Sequence, residues 1–190
     1  MREYLAANEL LSTVTQPGLE VFQITTDPDA GSNLFYNYHQ AFEPTSRFML
    51  FNRTGKDGAG LWLCDLEDDF TLEPVTGDDE RLAGGHQGMA FSPDGHWIWY
   101  SLFADDRLEL RRRPLTGGPM ETVFDLDAIR HEFGGRKIHG GRWLSFSHDG
   151  KRLLAVVTLE GMAKYYSVGI ITFDLVRMVQ HTAFETSPRN

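Results

Sequence analysis

The sequence predicts an all-β chain built from a repeated, four-stranded antiparallel unit, and three observations carry that prediction. Three segments align on an aromatic residue: AFEPTSRFMLFN from Ala41, AFSPDGHWIWYS from Ala90 and SFSHDGKRLLAV from Ser145, with Phe42, Phe91 and Phe146 in register. Their spacing of roughly 50 residues is that of a propeller blade. Two copies then turn through Asp94-Gly95 and Asp149-Gly150, pairs suited to a tight hairpin because glycine accepts positive φ at the bend. In the first copy Thr45-Ser46 stands there, a weaker turn signal. Each hairpin is followed by a further strand-like run: LWLCDL from Leu61, LELRRRPL from Leu108 and GIITFDL from Gly169. Four antiparallel strands per repeat describe a blade of a β-propeller.

Taken in order, EVFQITT (20–26) reads as one spare N-terminal strand of the kind that closes a propeller ring. The blades follow over 35–77, 86–126 and 139–185. TLEPVTG and METVFDL supply fourth strands to the first two, and MVQHTAF supplies the fourth strand of the third. Trp97 and Trp99 alternate with Ile98 and Tyr100, so both faces of that strand are apolar, as packing between two neighbouring blades requires. The run Arg111-Arg112-Arg113 reads as a solvated edge that discourages strand addition. Helix is scarce: LAANELLSTV has the pattern for two turns, and DLDAIRHEF (Asp125 to Phe133) for one short surface helix without a core face. About four to eight blades close a ring. The sequence therefore predicts a propeller fragment, the N-terminal part of a larger ring whose remaining blades are missing. A ring closed by oligomerisation is the alternative.

Composition narrows the partners. The chain has 27 acidic and 18 basic residues, a net charge of −9, which disfavours nucleic acid and anionic membrane surfaces. No stretch approaches the roughly 20 apolar residues of a membrane helix, and no signal-peptide pattern opens the chain. A cytoplasmic protein is expected. Cys64, the single cysteine, excludes a disulfide framework and reads as a buried structural thiol.

The candidate site lies where segments lead into the first strand of each blade, NLFYNYHQ, RLAGGHQG and GGRKIHGGRW. First strands line the central channel of a propeller, so residues there converge. Each segment carries a histidine: His39, His86 and His139, with Gln87 beside the second and Arg136, Lys137 and Arg142 around the third. Imidazoles serve as acid, base or metal ligand, and arginine grips a carboxylate through two parallel bonds. The competing reading is structural, with these side chains capping the strands. Glycines 84, 85, 134, 135, 140 and 141 bracket the histidines, and close backbone approach near a crowded axis is the expected reason. No phosphate loop, GxSxG element or Ser-His-Asp set is present. His96, His131, His148 and His181 read as surface residues.

The FSPDG-W-I-Y repeat, with LWLCDLE and PVTG after it, resembles the TolB-like (PD40-type) propeller repeat. Among proteins built on that repeat, the opening VFQITTDPDAGSNLFYNYHQAFEPTSRFMLFNRTGKDGAGLWLCDLE is most similar to the N-terminal part of oligogalacturonate lyases. The resemblance implies a cytoplasmic seven-bladed propeller that cleaves uronate oligosaccharides by β-elimination with a divalent metal such as manganese. It places the family's metal ligands in later blades, so the metal ligands of this chain stay unknown. It also implies a small anionic oligosaccharide as partner. Catalytic roles then fall to His139, Arg136 and Arg142, and substrate binding to His39, His86, Gln87 and Lys137. The other readings are a non-catalytic TolB-like propeller that binds a protein or ligand at its axial face, and the propeller domain of a prolyl-oligopeptidase-type peptidase.

Overall fold

A computed structural model of the chain describes residues 1–2, 5–6, 20–33, 41–55, 58–77, 80–82, 88–104, 107–160 and 167–186. Two short strands, β1 (Leu5–Ala6) and β2 (Phe22–Gln23), pair with each other. Three antiparallel sheets follow, each formed by strands that neighbour one another in sequence. The first blade holds β3 (Gly31–Asn33), β4 (Phe48–Gly55), β5 (Gly58–Asp65) and β6 (Thr71–Pro74). The second holds β7 (Arg81–Leu82) and β8 (Met89–Phe91), two pieces that both pair with β9 (Trp97–Ala104), then β10 (Arg107–Pro114) and β11 (Glu121–Asp125). The third holds β12 (Ile138–Phe146), β13 (Arg152–Leu159), β14 (Ser167–Asp174) and β15 (Val179–Thr186). The expected all-β architecture of three antiparallel sheets is present.

Alternation in β9 explains the stacking. Ile98, Tyr100 and Leu102 face the first blade and close against Leu50, Leu61 and Leu63. Trp99 faces the other way, into a core with Leu144, Leu153, Ala155 and Phe173 of the third blade. One strand thus supplies two hydrophobic junctions, because successive side chains point to opposite faces. Cys64 is fully buried on the far face of the first blade, and burial, then the Asp65 charge, raises its thiol pKa to about 11. It is a packing residue.

Three expectations are corrected. Arg111, Arg112 and Arg113 do not form a solvated edge, since β11 lies outside β10. Arg111 bonds Glu80 at 2.7 Å and Glu109 at 2.8 Å, and Arg113 reaches Glu80 at 3.4 Å, with both Glu80 and Glu109 buried. Arg112 lies flat over Trp97, 4.1 Å from the ring centre. The charge run reads as solvent-facing because Glu80, the buried partner that Arg111 and Arg113 share, comes from a distant part of the chain. Second, the helix after Asp125 is a 3-10 helix, Leu126–Phe133, and it does have a core face: Leu126, Ile129 and Phe133 are buried in the junction of the second and third blades. Third, Leu5 and Ala6 are extended rather than helical, while the rest of the predicted N-terminal helix lies outside the described residues.

The segment expected to be a ring-closing strand (20–26) is strand only at Phe22–Gln23, paired to Leu5–Ala6. Ile24 packs on the cluster of Met49, Phe51, Cys64 and Leu72. Phe22 stacks near Phe70, with ring centres 5.1 Å apart, and Met1 exchanges backbone hydrogen bonds with Leu72 on β6. N-terminal residues therefore cover the far face and outer edge of the first blade. No helix among the described residues is long and apolar enough to cross a membrane.

Candidate functional site

β12 carries the described part of the site. The chain reaches it through the 3-10 helix, which Asp125 opens by accepting a hydrogen bond from Asp127 N at 3.0 Å. Gly134 closes it in the left-handed region, with φ 65°. Gly134 and Gly135 therefore serve a helix stop, and a Cβ on either would meet nothing. That corrects the expectation of crowding at these two glycines. Arg136 follows, half-buried, its Nε donating to the carbonyl of Phe133 at 3.1 Å. The Lys137 carbonyl accepts from Glu160 N at 2.8 Å, where the ladder with β13 begins.

Two register shifts interrupt that ladder. Ile138 pairs with Leu159 and Gly140 with Thr158, so His139 is the extra residue of the first bulge. Gly141 pairs with Val157 and Trp143 with Val156, so Arg142 is the extra residue of the second. Bulges re-aim side chains and twist the strand locally. His139 is exposed between the buried Ile138 and Gly140.

His39, His86 and Gln87 lie outside the described residues, and the strands that flank their segments are described. On the second blade Leu82 pairs with Leu102, and the Gly88 carbonyl accepts from Ser101 N at 2.7 Å. On the first blade Asn33 pairs with Asn52 and the Ala41 carbonyl accepts from Leu50 N at 2.8 Å. With Phe42, Phe91 and Phe146 in register, the Gly88–Ser101 and Leu82–Leu102 rungs of the second blade correspond to Trp143–Val156 and Gly141–Val157 of the third, which flank the bulge at Arg142. His139 stands farther along, opposite Thr158 and Leu159. Counting back from the aromatic residues gives the same answer from sequence alone, because His139 lies farther upstream of Phe146 than His86 lies of Phe91.

Here the inner strands press together. A Cβ on Gly88 or on Gly141 would collide with Ser101 Oγ, and one on Gly88 would also stand 3.2 Å from the Gly141 carbonyl. Close approach is thus the reason for Gly141, as expected, and for Gly88, which sequence reasoning did not single out. Ser101, 1% exposed, is wedged between them.

At the other end of β12, past Phe146, a cleft of about 440 Å³ opens between the hairpins of the second and third blades. Asp94, Trp97, Arg112, Phe146, His148 and Asp149 line it. Each aspartate is held by its own hairpin. Ser92 Oγ and His96 N donate to Asp94, and Ser147 Oγ and Lys151 N donate to Asp149. The Asp94 carboxyl is lowered although burial opposes this, and the Asp149 carboxyl is lowered chiefly by Ser147. Among the described residues no group of three His, Cys, Asp or Glu side chains stands close enough to hold a metal ion.

No protein-family profile matches this chain, and no curated protein matches it. Solved structures do. An oligogalacturonate lyase from Vibrio parahaemolyticus is similar with a TM-score of 0.69 at 15% identity, over 97% of this chain and 47% of that one. An oligogalacturonate lyase in complex with manganese is similar at 0.64 and 18% identity, over 88% of this chain and 44% of that one. The structure described as a putative TolB from Agrobacterium tumefaciens follows at 0.58 and 16%, over 76% of this chain and 47% of that one. The chain spans less than half the length of each. At these identities the likeness establishes the fold, a TolB-like β-propeller architecture of which this chain forms three blades.

Proposed function

We propose that this chain belongs to a propeller that takes uronate oligosaccharides at the inner strand of its third blade, and that the whole protein cleaves them by β-elimination. The observation that supports this reading is the gathering of Arg136, Lys137, His139 and Arg142 on β12 and its approach, in a chain whose net charge is −9. A local basic group on an acidic protein suits an anionic ligand. Arginine pairs with a sugar carboxylate, and that pairing acidifies the adjacent C–H. The exposed imidazole of His139 then takes the C–H proton as the neighbouring C–O bond breaks, and the leaving oxygen takes up a proton from water. His39, His86, Gln87 and Lys137 are the proposed sugar contacts. The manganese that the resemblance implies finds no ligand set among the described residues, and no step is routed through it.

Calorimetric titration with trigalacturonate tests the reading. The double variant Arg136→Ala/Arg142→Ala should lose at least about tenfold in affinity, and raised salt should weaken the native chain in the same direction. Unchanged affinity in the double variant would overturn the assignment. A second reading, a non-catalytic propeller that binds a protein or ligand at this strand, draws on the similarity to the TolB structure. Binding without an ultraviolet-absorbing unsaturated product selects it.

A further inference from the structure

The cleft between the hairpins of the second and third blades holds charge that its turns do not need. Both of its walls come from sheets within the chain, β7–β11 and β12–β15. Pro93 lies 3.7 Å from where a Cβ on Gly150 would stand, so the two turns abut, and Asp94 and Asp149 reach one rim. Each aspartate serves its turn through Oδ1 alone. That atom accepts from Ser92 Oγ and His96 N in one hairpin, and from Ser147 Oγ and Lys151 N in the other. Oδ2 takes no part in either turn. In the first blade, by contrast, Glu43 is 3% exposed and uses both carboxylate oxygens on Thr45 and Arg47.

Asp94 and Asp149 are exposed. Both carboxyls are lowered, against burial at Asp94 and chiefly by the Ser147 hydroxyl at Asp149, so both are anions at neutral pH. The one arginine of the lining is already neutralised, because Arg112 bonds Glu121 at 2.7 Å while lying flat on Trp97. His96 and Lys151 attract the two carboxylates but do not line the cleft. Two negative charges are therefore left uncompensated beside an apolar wall. Trp99 and Phe146 meet edge to face in that wall, with ring centres 5.8 Å apart. Leu175 and Met178, the latter 50% exposed, complete it.

We propose that this cleft binds a linear polyamine cation, two of whose ammonium groups take Oδ2 of Asp94 and Oδ2 of Asp149 while the methylene chain between them lies along Phe146, Leu175 and Met178. An ammonium brings three N–H donors and a compact charge to each carboxylate. Its alkyl stem gains from apolar contact as the stem of a lysine does. A neutral sugar would leave both charges uncompensated, and a metal ion would lack a third ligand among the described residues. The volume of about 440 Å³ falls within the roughly 300–1,000 Å³ of small-molecule sites. This site is independent of the uronate reading, whose residues stand at the other end of β12.

Titration of the 190-residue chain with spermidine tests this, read by calorimetry and by tryptophan fluorescence, since Trp97 and Trp99 line the cleft. One saturable site is expected. Asp94→Asn and Asp149→Asn should each weaken it at least about fivefold. Asparagine keeps the Oδ1 acceptor that the turn uses, and circular dichroism establishes that each variant remains folded. Glu73→Gln, at an exposed acid on β6, changes the net charge equally and should leave the affinity within about twofold. Butylamine, with a single ammonium, should bind at least about tenfold more weakly than spermidine. Four outcomes overturn the proposal: no saturable binding, a site that the folded asparagine variants leave unchanged, equal losses in Glu73→Gln, or butylamine binding as tightly as spermidine. Equal losses in Glu73→Gln would mean that the acidic surface as a whole attracts the cation.

Discussion

The first and third blades have the same strand order, yet they differ in what surrounds them. The first is covered on both faces, by the second blade on one side and by N-terminal residues on the other. Among the described residues, the third is covered on one face only. The hairpins differ too. In the third blade a serine and an aspartate, Ser147 and Asp149, tie the turn, with Gly150 at φ 67°. In the first blade the buried carboxylate of Glu43 does that work alone. It accepts from Thr45 N at 2.8 Å, from the Thr45 hydroxyl and from Arg47 N at 2.9 Å, while Ser46 holds φ 64° where the other copies have glycine. Equal topology therefore does not mean equal energetics, and matched substitutions in the two blades separate cover from local chemistry.

The largest contrast is expected at one register position. Leu50→Ala removes a side chain with no exposed surface from a packed junction, and should cost about 2–5 kcal/mol. Leu154→Ala, its half-buried counterpart, should cost less than about 1 kcal/mol in dilute protein, because little apolar surface is there to return to water. Urea unfolding of both variants measures the difference. Equal losses would mean that the third blade's outer face is as well covered as the first blade's.

The repeat and most of its hairpins were legible because they are local. Phe42, Phe91 and Phe146 sit at one step from their turns, and Asp-Gly declares the bend. What was not legible depends on partners far along the chain. Arg111 is buried because Glu80 and Glu109 neutralise it, and no window around the arginine run contains Glu80. The helical core face was readable, since Leu126, Ile129 and Phe133 follow helical spacing, but its shortness argued against it. At the site, the histidine in each segment suggested equivalence, whereas His139 lies farther upstream of its aromatic residue than His86 does of Phe91. What the sequence does not mark is the pair of bulges in β12, each of which adds one residue to the strand.

An intermediate effect is expected at Glu43. Burial raises its carboxyl pKa, but the Thr45 hydroxyl and the backbone N–H groups of Thr45, Arg47 and Phe48 outweigh this and lower it overall. A carboxyl lowered in the folded state contributes stability above its unfolded pKa, and that contribution is lost as pH falls through the folded value. Glu43→Ala should therefore cost about 1–3 kcal/mol at neutral pH, since it also strands the donors. The gap between variant and native chain should narrow below about pH 4. A gap that stays constant across an acid titration of the melting temperature would show that the carboxylate's charge is not what holds the turn.

The smallest effect, and the one opposite in sign, belongs to Ser46. A side chain at positive φ crowds its own backbone, a cost of about 1–2 kcal/mol that glycine avoids. Glycine also has more freedom to lose on folding, which takes back roughly 0.5–1 kcal/mol. Ser46→Gly should thus stabilise the first blade by up to about 1 kcal/mol, the difference between those two terms. The converse change in the third blade, Gly150→Ser, should destabilise by a similar amount, as Gly150 holds φ 67° with only Pro93 atoms near its added Cβ, at 3.7 and 3.9 Å. Paired melting curves decide it. If both substitutions destabilise, the Ser46 side chain contributes to the turn beyond its backbone angle, and the two hairpins are not interchangeable versions of one unit.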